Sequence, residues 1–143
     1  MANAEKTSGG CIIPTLRYRK AKAAIDWLCA AFGFEKMMVV PGEGDSIAHA
    51  QLKLGTGIVM LGDAKTEFGA LVRPPESPAF VNTQGIYVVV EKVDEHYARA
   101  KAAGAEIVLD IKTQDYGGRD YTCRDLEGHS WTFGTYDPCK PEA

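Results

Sequence analysis

The sequence predicts an α+β chain of two βαβββ modules in tandem. Three observations carry this reading: strand-like and helix-like periodicities alternate, they do so twice in the same order, and a glycine helix stop recurs 71 residues on, at Gly33 and Gly104. One module has only a single helix to cover a four-stranded sheet, so two such modules side by side make the natural domain for 143 residues.

The elements follow in order. "CIIPTLRY" (11–18) is rich in β-branched and aromatic residues and reads as the first strand. In "RKAKAAIDWLCAAFGF", Ile25, Leu28, Cys29 and Phe32 fall at i, i+3, i+4 and i+7, one apolar stripe of a helix that Gly33 ends. "EKMMVV", "SIAHAQLKL" and "GIVMLG" are then three strands. The second half repeats the series with "GIYVVV", a helix in "KVDEHYARAKAAGA", and the strands "AEIVLDI", "RDYTCRD" and "HSWTFGTY". Its helix carries Val93, Tyr97 and Ala100 on one stripe, Asp94 and Glu95 early, and Arg99 and Lys101 late, which suits the helix dipole.

Module one is expected over about 11–62 and module two over about 84–137, within a domain spanning 11–137. Pro74, Pro75 and Pro78 punctuate a connection over about 63–83 that reads as a linker or lid. Residues 1–10 and 138–143 read as tails.

Composition removes several functions. A net charge of -3 with scattered basic residues offers no continuous positive face to a phosphate backbone, so no nucleic-acid partner is expected. No apolar run approaches the roughly 20 residues of a membrane span, and "MANAEKTSGG" lacks an apolar signal core, so the expectation is a cytoplasmic protein away from membranes. Cys11, Cys29, Cys123 and Cys139 show no zinc spacing and are expected as free thiols. Nor is there a phosphate loop, a dinucleotide fingerprint or a Ser-His-Asp pattern.

The module order, "TLRYRKAKAAIDWLCAAFGF", and "YGGRDYTCRDLEGHSWTFGTYDP" with its D-x-x-G-H-x-W turn resemble the vicinal oxygen chelate superfamily. That group includes glyoxalase I, bleomycin resistance proteins, fosfomycin resistance enzymes and extradiol dioxygenases. The resemblance implies a cupped mixed β-sheet with helices on its outer face, and homodimers that cover open sheet edges, sometimes with exchanged modules. It also implies a divalent metal held by His or Glu from the first and last strands of each module. Aligned residue by residue, those four positions hold Ile13, Met60, Gly85 and Thr132. None is a normal ligand, and a slip of one residue in any strand supplies none either. The expectation is therefore a site with no metal or cofactor.

Alternation from Thr132 sends His129, Trp131 and Phe133 to the packed face or the turn, so His129 reads as a turn residue and Glu127 as a solvated turn carboxylate. Cup-facing candidates come from the same alternation. His49 and Gln51 oppose the apolar side of "SIAHAQLKL", and a shift of 72 maps them onto Tyr121 and Cys123, with Ile47 mapping onto Arg119. Tyr87 and Arg17 come from the first strands, and Tyr116 sits in a Gly-rich loop that either closes over the cup or serves only the turn. His96 is expected to be solvated on the second helix.

The expected ligand-binding set is His49, Gln51, Met60, Tyr87, Arg119, Tyr121 and Thr132, with no catalytic residue assigned. A mostly apolar concavity with a few convergent polar groups suits a small organic ligand, aromatic or anionic in character. The reading is a metal-independent binding protein of drugs or metabolites, similar to the bleomycin resistance branch. Its alternative is a glyoxalase- or dioxygenase-type enzyme using atypical metal ligands or His49 and Tyr121 as acid and base.

Overall fold

A computed structural model describes residues 8–65, 72–76 and 81–140. The expected linker lies partly outside these residues, as does most of the expected N-terminal tail. Module one comprises β1 (Thr15–Tyr18), α1 (Ala21–Phe32), β2 (Glu35–Pro41), β3 (Ile47–Leu54) and β4 (Gly57–Asp63). Module two repeats it as β5 (Ile86–Val89), α2 (Val93–Ala102), β6 (Glu106–Thr113), β7 (Arg119–Arg124) and β8 (Ser130–Gly134). The tandem βαβββ arrangement is thus present in full.

Each module folds into its own four-stranded mixed sheet, ordered β1-β4-β3-β2 in module one and β5-β8-β7-β6 in module two. The first strand of each pairs in parallel with the last, and the other pairs are antiparallel. Both helices end as their sequences require: Gly33 takes φ 86° as a left-handed cap for α1, and Gly104, just past α2, takes φ 98°.

The apolar stripe of α1 (Ala24, Ile25, Leu28, Ala31, Phe32) is buried together with Leu16, Ala50, Leu52, Val59 and Leu61 of its sheet. This core does not stop at the module boundary. Phe32 sits 5.3 Å from Trp131 and 4.6 Å from Phe133 between ring centroids, and Phe34 sits 5.7 Å from Trp131. Trp27 Nε1 donates to the carbonyl of Ala103 at 2.8 Å, and Arg99 Nε donates to that of Ala30 at 2.7 Å. The modules therefore meet through their helices and helix-packed faces, which leaves the opposite, open face of each sheet turned away from the shared core.

The β7–β8 turn is a second joint between the modules. Asp125 is buried and accepts four hydrogen bonds: Oδ2 from Tyr18 Oη (2.6 Å) and Trp131 Nε1 (3.0 Å), Oδ1 from the backbone N–H of Glu127 (3.0 Å) and of His129 (3.1 Å). Burial, reinforced by Asp125, holds the Tyr18 phenol well above its usual pKa, so it remains a donor. His129 is buried with its ring 4.6 Å from that of Tyr18 and donates from Nε2 to the Arg17 carbonyl at 2.8 Å.

Glu127 corrects the sequence expectation of a solvated carboxylate. Its side chain is only 14% exposed, and its two oxygens accept the backbone N–H groups of Arg19 (2.6 Å) and Lys20 (3.0 Å) at the start of α1. A helix start leaves amides without intrahelical partners and carries partial positive charge. Here the N-cap residue, Lys20, makes no side-chain cap of its own, and a carboxylate of module two fills the role.

Candidate functional site

Strand register defines the open faces, because residues directly opposite in a ladder share a face. One row crosses the sheet of module one as Thr15–Met60–Gln51–Met38. Its counterpart in module two is Tyr87–Thr132–Thr122–Leu109. These rows lie opposite the packed side, where Leu52, Val59, Cys123, Trp131 and Phe133 are buried.

The row of module one is flanked by His49, whose Nε2 lies 3.2 Å from the amide nitrogen of Gln51, and by Val40 in register with it. The Gln51 amide nitrogen is the donor of this pair and the imidazole the acceptor. Arg17, on β1, is buried and lies across Gly62, where an added Cβ would come within 2.5 Å of its guanidinium. In module two the Thr122 and Thr132 hydroxyls bond each other at 2.8 Å. Apolar side chains accompany these polar groups: Met38, Val40, Tyr87, Val89 and Leu109 are all 40% or more exposed.

His49, Gln51, Met60, Tyr87 and Thr132 therefore stand on the open faces. Arg119 and Tyr121 do not, and their expected placement is corrected. Tyr121 is fully buried on the helix side, where its hydroxyl donates to His96 Nδ1 at 2.6 Å and its ring stacks on Phe133. Burial holds its phenol far above the usual range, so it is no proton donor or base for a ligand. Arg119 turns to the same side and binds Asp94 at the start of α2, with Nη2 2.9 Å from Oδ1. Cys123 is buried beside them, its thiol pushed up to about 12 by burial with Asp125 adding to the effect, which removes thiolate chemistry.

His96 is also corrected. It is half-buried between Phe32 and Phe133, donates from Nε2 to the Phe32 carbonyl at 2.8 Å, and accepts the Tyr121 hydroxyl at Nδ1. Burial lowers its pKa, outweighing the Phe32 carbonyl, so the ring is held neutral as a bolt between modules.

Sequence reasoning missed Thr122, and Tyr136, whose carbonyl accepts the Tyr87 hydroxyl at 2.8 Å. The signal for Thr122 was present, because an offset of 71 from Gln51 leads to it.

The residues at the superfamily's metal positions do not fit a divalent ion. Met60 and Thr132 occupy equivalent places at the centre of the two rows and supply a thioether and a hydroxyl, while Ile13 and Gly85 supply no side-chain donor. Among the described residues no three His, Cys, Asp or Glu side chains converge.

Paired βαβββ modules with equivalent rows on their open sheet faces define a class, and comparison with known proteins gives the same class. A family profile described as the Glyoxalase/Bleomycin resistance protein/Dioxygenase superfamily matches residues 13–133, and the chain belongs to that superfamily. The chain is 32% identical over 122 residues to "Uncharacterized protein Rv0887c" of Mycobacterium tuberculosis, covering 85% of this chain and 71% of that protein. Among solved structures it is similar to TioX from Micromonospora sp. ML1, with 33% identity, a TM-score of 0.71, and coverage of 92% of this chain and all of that one. The fosfomycin resistance protein FosX from Listeria monocytogenes shares the fold with a TM-score of 0.68 at 15% identity, covering 92% and 97% of the two chains.

Proposed function

We propose that this protein binds a small organic molecule, a drug or metabolite, without a metal, in a cup assembled between two copies of the chain. The observation that carries the reading is the outward orientation of both open faces. Each displays apolar side chains around a few polar groups, and the modules spend their helix-packed faces on each other. A chain built this way closes no cup on its own. Laying module one of one protomer against module two of its partner brings Met60, Gln51 and His49 opposite Tyr87, Thr132 and Thr122.

Such pairing also removes Met38, Val40, Val89 and Leu109 from water, the usual fate of apolar surface on a stable sheet. Sequestration rather than turnover is the reading because the central positions hold a thioether and a hydroxyl, and the one open-face imidazole, among the described residues, is paired with Gln51.

Light scattering on the purified protein tests the assembly, with a dimer expected at micromolar concentration. Elemental analysis tests the chemistry: well under one equivalent of Zn, Ni, Mn or Fe is expected, with no loss of melting temperature in EDTA. A monomer overturns the shared cup. A stoichiometric metal whose removal lowers the melting temperature by several degrees overturns the metal-free reading.

A further inference from the structure

The open face of module two ends in a cluster that the central row does not explain. Three tyrosines stand there exposed, Tyr87 at 42%, Tyr116 at 62% and Tyr136 at 49%. They are tied in place. The Tyr87 hydroxyl donates to the Tyr136 carbonyl at 2.8 Å, the Tyr116 hydroxyl donates to Asp120 Oδ2 at 2.8 Å, and the Tyr116 and Tyr136 rings meet edge to face with centroids 5.7 Å apart.

The backbone makes room for this arrangement. A Cβ at Gly134 would lie 2.5 Å from the Tyr87 hydroxyl and 2.8 Å from the Asp120 Cβ, and one at Gly118 would lie 2.9 Å from the Tyr136 Cβ. Gly117, at φ 100°, turns the loop that carries Tyr116.

Charge is the second feature. Asp120 takes its hydrogen bonds from neutral donors, Tyr116 and the Gln114 amide at 2.9 Å. Among the described residues no cation lies within ion-pair distance of it, since Arg119 is turned to Asp94, and Lys112, in register with Asp120, does not reach it. Asp115 and Asp137 flank two of the tyrosines in the chain. Arg119, the cation expected here from the sequence, stands on the other face of the sheet.

We propose that Tyr87, Tyr116, Tyr136 and Asp120 form an aromatic cage for a cation, and that the molecule bound in the cup carries an alkylated ammonium group. Aromatic faces are electron-rich and attract such a cation without requiring it to donate a hydrogen bond, and the carboxylate adds a full charge. Rings fixed before binding lose little freedom on binding. This inference rests on the ligand-binding reading above and specifies the ligand's chemistry.

Choline and its uncharged carbon isostere 3,3-dimethylbutan-1-ol share a shape and differ in the charge, so the pair isolates it. Each is titrated into the full-length ¹⁵N-labelled protein and followed by amide shifts. Choline is expected to saturate with its largest shifts at Tyr87, Tyr116, Gly118 and Gly134, and the alcohol to bind about tenfold more weakly or less. Tyr116→Leu and Asp120→Asn are each expected to weaken choline by about tenfold, with the rest of the spectrum unchanged. Equal binding of the two probes, no binding of choline, or shifts confined to another region each overturn the cage. A neutral ligand that still occupies the open faces in that event leaves the cup standing without it, whereas failure of every ligand in a broad screen overturns both.

Discussion

The two β-hairpins that end the modules look like copies and differ by one residue. In module one, four residues separate Lys53 from its ladder partner Ile58. In module two, five separate Arg124 from Ser130, the stretch Asp125 to His129. Beyond the turn the modules correspond at an offset of 72, as Met60 with Thr132, but before it the offset is 71, as Gln51 with Thr122. Side chains alternate along a strand, so carrying 72 back across the turn puts every β7 residue on the wrong face. That slip alone assigns Tyr121 and Arg119 to the cup. The correct counterparts of His49 and Ala50 are Asp120 and Tyr121.

The extra residue also changes what the turn does. Module one closes with a short exposed turn around Gly55, whereas the longer loop holds a buried carboxylate with four donors and sends Glu127 to the other module's helix. Asp125→Ala should break this distinction most severely. It strands the Tyr18 hydroxyl and the Trp131 indole in the core, at a cost of about 3 kcal/mol or more in chemical denaturation. Thr56→Ala in the other turn should stay within about 0.5 kcal/mol.

Tyr121→Phe sharpens the face assignment. Loss of the buried bond to His96 should cost about 1–2 kcal/mol while ligand affinity is retained, the reverse of what a cup residue would show. The same bolt predicts a pH effect. The folded chain keeps His96 neutral with a depressed pKa, so below roughly pH 6.5 the unfolded chain binds the proton more readily. Its stabilisation is present above that pH and is lost as pH falls toward the folded value. Denaturation midpoints between pH 7 and 5 should fall less steeply in His96→Gln than in the parent.

Removing the borrowed helix cap is a smaller change. Glu127→Ala should cost about 1 kcal/mol and fray the start of α1, read by hydrogen exchange at residues 21–24. Arg119→Ala should have the least effect, because its ion pair with Asp94 is solvent-exposed and screened. A marked loss of ligand affinity in Arg119→Ala would return that residue to the cup and undo the offset of 71.

The sequence by itself determined the two modules, their element order and the helix stops, because these rest on local periodicity and on glycines whose backbone angles other residues resist. It also determined that Ile13, Met60, Gly85 and Thr132 supply no imidazole, thiolate or carboxylate, since donor chemistry belongs to the residue type and survives any small error of register. What only the tertiary structure decided were the relations that cross the chain. These include Glu127 capping α1, His96 bolted between Phe32 and Tyr121, Tyr116 and Tyr136 gathered beside Tyr87 and Asp120, and the two open faces turned outward. Glu127 and its amides are 108 and 107 residues apart, and the one-residue difference between the hairpins looks trivial in the sequence. A strand's faces are two residues in period and its partners lie far along the chain, so only the paired sheets, packed on their common core, could say which face each side chain takes.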